Sequence, residues 1–233
     1  TALQRADAAY AAGERERARS LYRSVLAGDP NNSRALFQLA RLSPPAEAVA
    51  RLRRYVRLEP QDAWGSMALG DALAKSGRVG EAIAQYAIAR RIAPAEPDVY
   101  VGLGRILRDA GRTDELVANY ERWVSAQPKN ADAWFELGRA RQRAKRHVDA
   151  AEAYAAAYAI RQEERTEEAL DSALAESGFS LRPFFGLSND SDGNHVRRLG
   201  LDAEWQGADR ARSEEDTPEL QPLGQFVCRV LLE

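Results

Sequence analysis

A period of thirty-four residues constrains this chain more than any other feature. From Pro94 its landmarks run Tyr100, Leu103-Gly104, Leu107, Gly111, Tyr120, Trp123-Val124 and Pro128. One period earlier the same offsets hold Ser66, Leu69-Gly70, Leu73, Gly77, Tyr86, Ala89-Arg90 and Pro94. One period later they hold Trp134, Leu137-Gly138, Arg141, Lys145, Tyr154, Ala157-Tyr158 and Gln162. A unit this short cannot bury its own apolar face, so copies must stack on one another.

Within each period the spacing predicts two helices around a tight turn. In residues 1–30, Ala6, Ala9 and Gly13 mark the first helix and the turn. Ala18, Tyr22, Val25 and Leu26 lie on one face of the second helix, and Pro30 closes the unit. Residues 31–60 form a unit four residues short, with Leu36, Leu39 and Ala40, then Ala48, Leu52, Tyr55, Val56 and Pro60. There Ser43-Pro44-Pro45 replaces a helical turn. Ser43 is expected to cap the next helix with Pro44 at its first position, leaving a notch in the face. Units 61–94, 95–128 and 129–162 run without insertion. Residues 163–178 predict a capping helix with Thr166 as N-cap and Ala169, Leu170, Ala173 and Leu174 as its buried stripe.

Leu-Gly, Ala or Leu ahead of a Tyr, and a closing Pro together resemble the tetratricopeptide repeat family over roughly the first 165 residues. The resemblance implies an all-α superhelix, a right-handed α-solenoid of about five helix-turn-helix repeats. It also implies that the first helices line a concave groove for a partner. Carried over by repeat position, the groove comprises Phe37 and Arg41, then Trp64, Met67, Asp71 and Lys75. Asp98, Val101, Arg105, Arg108 and Asp109 follow, then Asp132, Phe135, Arg139, Gln142 and Arg143. Arg41, Arg105, Arg108, Arg139 and Arg143 would form a basic stripe between aromatic and Met anchors, suited to an acidic or C-terminal peptide. The Lys and Asn positions of the family's chaperone-binding carboxylate clamp are absent.

Nothing in the sequence points to catalysis. The formal charge of −2 gives no electrostatic ground for nucleic-acid binding. A lone Cys228 excludes an internal disulfide and a multi-thiolate zinc cage. Gly102-Leu103-Gly104 sits inside a helix, so it is a packing signature and cradles no phosphate. His147 falls in an inter-helix turn and His195 after a predicted hairpin turn; both read as exposed loop histidines. Asp190-Ser191-Asp192-Gly193-Asn194 resembles a calcium loop, but an EF-hand needs Gly and an acid where His195 and Leu201 stand. No cofactor and no metal is expected.

After Gly178 the period falls to two. Phe179, Leu181, Phe185 and Leu187 alternate with polar or small residues, as do Leu199, Leu201, Ala203 and Trp205 beyond the Asp-Gly turn. This predicts a β-hairpin within a tail spanning 179–233, with a charged loop at 207–224 and a third strand at 225–231. Residues 179–233 carry 6 Lys/Arg against 10 Asp/Glu, whereas residues 1–178 are balanced at 27 against 25. A repeat arm running into such strands is similar to bacterial outer-membrane exporters at the start of their β-barrel. That resemblance implies a periplasmic arm, with the membrane reached only through a barrel; the long loop 207–224 departs from it. The alternatives are a targeting or regulatory module of a larger enzyme such as a glycosyltransferase, and a cytoplasmic adaptor. Unpaired tail strands would also allow self-association. Thr1 and Leu232-Glu233 read as the ends of an excised fragment.

Overall fold

The computed structural model describes residues 1–177 in full and residues 179–189 and 195–205 as backbone. The chain divides into two compact units, Thr1–Ala126 and Gln127–Glu233. The first holds eight helices: α1 (Ala2–Ala11), α2 (Arg15–Gly28), α3 (Ser33–Arg41), α4 (Pro45–Leu58), α5 (Ala63–Lys75), α6 (Val79–Ile92), α7 (Pro97–Asp109) and α8 (Thr113–Ala126). The second holds α9 (Ala131–Arg143), α10 (His147–Ile160), α11 (Glu164–Glu176) and two strands, β1 (Phe179–Asn189) and β2 (His195–Trp205). The described residues therefore form an all-α array of eleven helices followed by an antiparallel strand pair, registered from Phe179 opposite Trp205 to Asn189 opposite His195. The expected turn, the loop 207–224 and the third strand lie outside the described residues.

The period translates into fixed helix lengths and caps. The second helices α2, α4, α6, α8 and α10 each have 14 residues, while α5, α7 and α9 have 13. In the first unit, α2, α4 and α6 stop two residues before Pro30, Pro60 and Pro94, because the residue preceding a proline is disfavoured in helical geometry. Two residues after the closing proline comes the next cap. The Asn32 side chain accepts the Ala35 N–H at 3.0 Å and Asp62 accepts the Trp64 N–H at 2.9 Å. Asn130 accepts the N–H groups of Asp132 and Ala133 at 3.0 and 3.3 Å. Each such cap is worth about 1 kcal/mol.

Between paired helices the chain turns through positive φ, at Gly13 (78°), Gly77 (76°) and Gly111 (70°). The same offset in the fifth repeat holds Lys145 at φ 60°, where a side chain costs about 1 kcal/mol. The Leu-Gly signature has a steric cause. A Cβ on Gly70 would lie 2.7 Å from the Tyr86 ring and one on Gly138 would lie 2.6 Å from the Tyr154 ring; Gly104 meets Tyr120 in the same way. Each tyrosine therefore packs directly on the backbone of its partner helix. Trp123 and Tyr100, both almost fully buried, stack at 5.7 Å with planes 3° apart.

Two cap assignments made from the sequence are corrected. Ser43 does not cap α4: its hydroxyl donates back to the Leu39 carbonyl at 2.6 Å, and Pro45, not Pro44, is the first helical residue. The shortened α3 has 9 residues, and two arginines of neighbouring helices reach its end. Arg19 from α2 donates to the Leu42 carbonyl through both Nε (3.1 Å) and Nη2, and Arg51 reaches Ser43 Oγ at 3.2 Å. Thr166 is not the cap of α11, which starts three residues earlier behind Glu163; Thr166 is instead buried inside the helix.

Candidate functional site

In the first unit, α3, α5 and α7 together form a recess of about 600 Å³. It contains Phe37, Arg41, Trp64, Met67 and Arg105 of the expected groove, with Asp71, Asp98 and Val101 also of that set, and adds Tyr86 from α6. Trp64 and Val101 are large apolar side chains left 53% and 46% exposed. Met67 is not a projecting anchor, since only 5% of it is exposed; it forms the floor. Phe37 is half-buried, tilted at 46° against Tyr55 with ring centres 5.0 Å apart.

The arginines do not form an unbroken basic stripe. Asp71 accepts a hydrogen bond from Tyr86 Oη at 2.7 Å and pairs with the Arg105 guanidinium at 2.8 Å. Burial, together with the Asp71 charge, pushes the Tyr86 hydroxyl well above its ordinary range. Arg41 instead lies over the Tyr10 ring at 5.5 Å and touches Gln38 at 3.4 Å. Asp98, in the first turn of α7, is exposed and has no ion pair among the described residues. Lys75 lines a smaller recess of about 260 Å³ beside Arg105 and Asp109, and Arg108 lines neither, standing 3.8 Å from Asp109. Asp71 and Arg105 are one full period apart, so the pairing was available to sequence reasoning that followed acids as well as bases along one offset.

The second unit treats the same offsets differently. Phe135 is half-buried against Tyr154, at 5.6 Å, and the Arg165 guanidinium covers its ring at 4.8 Å. Arg139 pairs with Glu136 at 3.0 Å, while Arg143 is exposed. Asp132 accepts from Arg161 at 2.6 Å and Arg165 at 3.0 Å, and both arginines pair with Glu163. These guanidiniums, Arg161 first, hold the Asp132 carboxyl below its ordinary range. His147 is not an exposed loop residue. It begins α10 with its side chain 27% exposed and Nδ1 2.8 Å from a Glu176 oxygen. Gln142 donates to the same carboxylate at 2.9 Å and accepts from Tyr154 at 3.0 Å. Burial pushes that tyrosine up to about 12, while the bond from Gln142 and then the charge of His147 pull the Glu176 carboxyl down.

Among the described residues no cluster of three or more His, Cys, Asp or Glu is placed to hold a metal, and no helix is long and apolar enough to cross a membrane. The candidate calcium loop at 190–194 lies outside the described residues.

Comparison with known proteins bears on the helical array. One tetratricopeptide repeat model matches residues 44–97 and 101–165, and a second matches residues 1–42. No curated protein matches the chain. Among solved structures, MamA is 24% identical with a TM-score of 0.58, covering 72% of this chain and 96% of that one. YrrB, described as a TPR protein with an unusual peptide-binding site, is 19% identical with a TM-score of 0.56, covering 73% and 89%. The C-terminal part of a TPR repeat-containing protein from Cytophaga hutchinsonii is 18% identical with a TM-score of 0.62, covering 75% and 70%. At these identities the likeness is one of fold.

Proposed function

From the premise that this chain belongs to the tetratricopeptide repeat family and is a scaffold for protein–protein interaction, we propose that the recess over α3, α5 and α7 receives an extended segment of a partner protein. The chain carries out no catalysis in this reading; it holds a partner in place. The observation that carries it is the exposure of Trp64 and Val101 at a site floored by Met67 and edged by charged side chains. A half-exposed aromatic anchor beside an apolar neighbour and charged side chains is what a peptide groove offers, because covering it supplies much of the binding energy. The peptide-binding site named for YrrB is a precedent on the same fold.

Selection of displayed random peptides on the full chain, followed by affinity measurement on Trp64→Ala, tests the reading. Isolates are expected to weaken at least about tenfold, roughly 1.4 kcal/mol. Isolates that bind the variant unchanged, or a selection that returns none, would remove the recess from consideration. A periplasmic arm of an outer-membrane exporter is a finer proposal resting on the alternating residues of the tail alone; none of the compared structures carries it. Residues 135, 139 and 143 enter the proposal only as a second surface, since Arg165 already covers Phe135.

A further inference from the structure

We infer that the ligand of this recess is charge-polarised: an extended segment with an acidic residue at one end, a basic residue at the other and a bulky apolar residue between them. The inference rests on the groove reading above and specifies its partner.

Four charged side chains border the recess, and two of them neutralise each other, since Arg105 and Asp71 form an ion pair at 2.8 Å. The remaining two are Arg41, in the last turn of α3, and Asp98, in the first turn of α7. Neither has an opposite charge in contact among the described residues. Trp64 stands on α5, in the helix pair between them. Each charge complements the dipole of its own helix, which accounts for it singly. It does not account for the two facing one recess from opposite ends with an exposed Trp between.

A uniformly acidic peptide would gain Arg41 but meet Asp98, and a uniformly basic one would meet the reverse conflict. A segment carrying both charges satisfies both ends. Helices two pairs apart are separated by roughly two interaxial steps of about 8–10 Å. An extended chain advances about 3.3 Å per residue, so the two charged residues should lie about five or six positions apart.

Three labelled octapeptides, acetylated and amidated so that no terminal charge intervenes, form the test. They share a palindromic apolar core built from the bulky residue common to the selected isolates. They differ only near their ends: Glu and Lys, Glu and Glu, or Lys and Lys. Fluorescence anisotropy on the full chain is expected to rank the mixed peptide at least about tenfold tighter than both others. Arg41→Glu should abolish that preference, and Arg41→Glu with Asp98→Arg should restore it, because the palindromic core can lie in either direction. Circular dichroism checks that these exposed substitutions leave the helices intact. An acidic peptide that binds as tightly as the mixed one, or a double variant that fails to recover, overturns the inference while the groove reading stands. Failure of all three to bind, or equal binding to Trp64→Ala, overturns both.

Discussion

Asp98 and Asp132 occupy one offset of the repeat, and Val101 and Phe135 another, yet their fates differ. In the first unit Asp98 has no ion pair among the described residues and Val101 is 46% exposed. In the second, Asp132 is gripped by Arg161 and Arg165, and Arg165 also lies over Phe135. The repeat register decides only where a side chain points. Whether that position becomes a binding surface depends on what the following segment brings to it. Here the stretch from Arg161 to Arg165, leading into α11, supplies the partners that the α7 face lacks.

Removing α11 is the strongest way to break the contrast. Ala173 is fully buried against a cluster containing Ala150, Ala151 and Tyr154. Ala173→Arg forces an unpaired charge into that contact and should cost about 3 kcal/mol or more. Hydrogen exchange should show α11 amides losing protection while those of residues 1–126 keep theirs; unchanged protection of α11 would sink the account of it as a cap.

The inter-helix turns offer a medium-sized effect. Lys145→Gly relieves a left-handed side chain and should stabilise the second unit by about 1 kcal/mol, whereas Gly111→Lys should cost the first unit a similar amount. Thermal unfolding of the two variants should shift in opposite directions. A shift of the same sign in both would mean that the turn φ is not what sets the difference.

Acid gives the smallest effect. Because the folded pKa of Asp132 is depressed, its contribution is present above the ordinary carboxylate range and is lost as pH falls below about 4. The group is half exposed, so the loss should be on the order of 0.5 kcal/mol per ion pair. Arg165→Gln should abolish part of this acid sensitivity and increase the solvent exposure of Phe135. An unchanged acid profile in that variant would place the titrating group elsewhere.

Much of this was legible in the sequence because the repeat ties composition to geometry. The facing of Gly70, Gly104 and Gly138 onto tyrosines follows from offsets that recur. The errors arose where two local partners competed. Ser43 lies within reach of both the next helix start and the Leu39 carbonyl, and the carbonyl wins. Thr166 looked like a cap because its hydroxyl suits one, but the helix starts earlier and takes it into the interior. The basic stripe is interrupted because acids sit beside the groove arginines, Asp71 against Arg105 and Glu136 against Arg139. His147 was misplaced for another reason: its neighbour Glu176 lies 29 residues later, on a helix whose docking no local pattern shows.

The short α3 has one more consequence, for how such an array can change length in evolution. Each residue of an α-helix turns it by about 100°, so losing four rotates the remainder by about 400°, a full turn plus about 40°. Leu36, Leu39 and Ala40 lie ahead of the missing turn and keep their places in the core, and two arginines reach the shortened end. Losing two residues ahead of Leu36 would instead rotate these side chains by about 200° and present them to water. Insertions and deletions inside these helices should therefore persist in lineages mainly as whole turns, with a long cation from a neighbouring helix as the mark left behind.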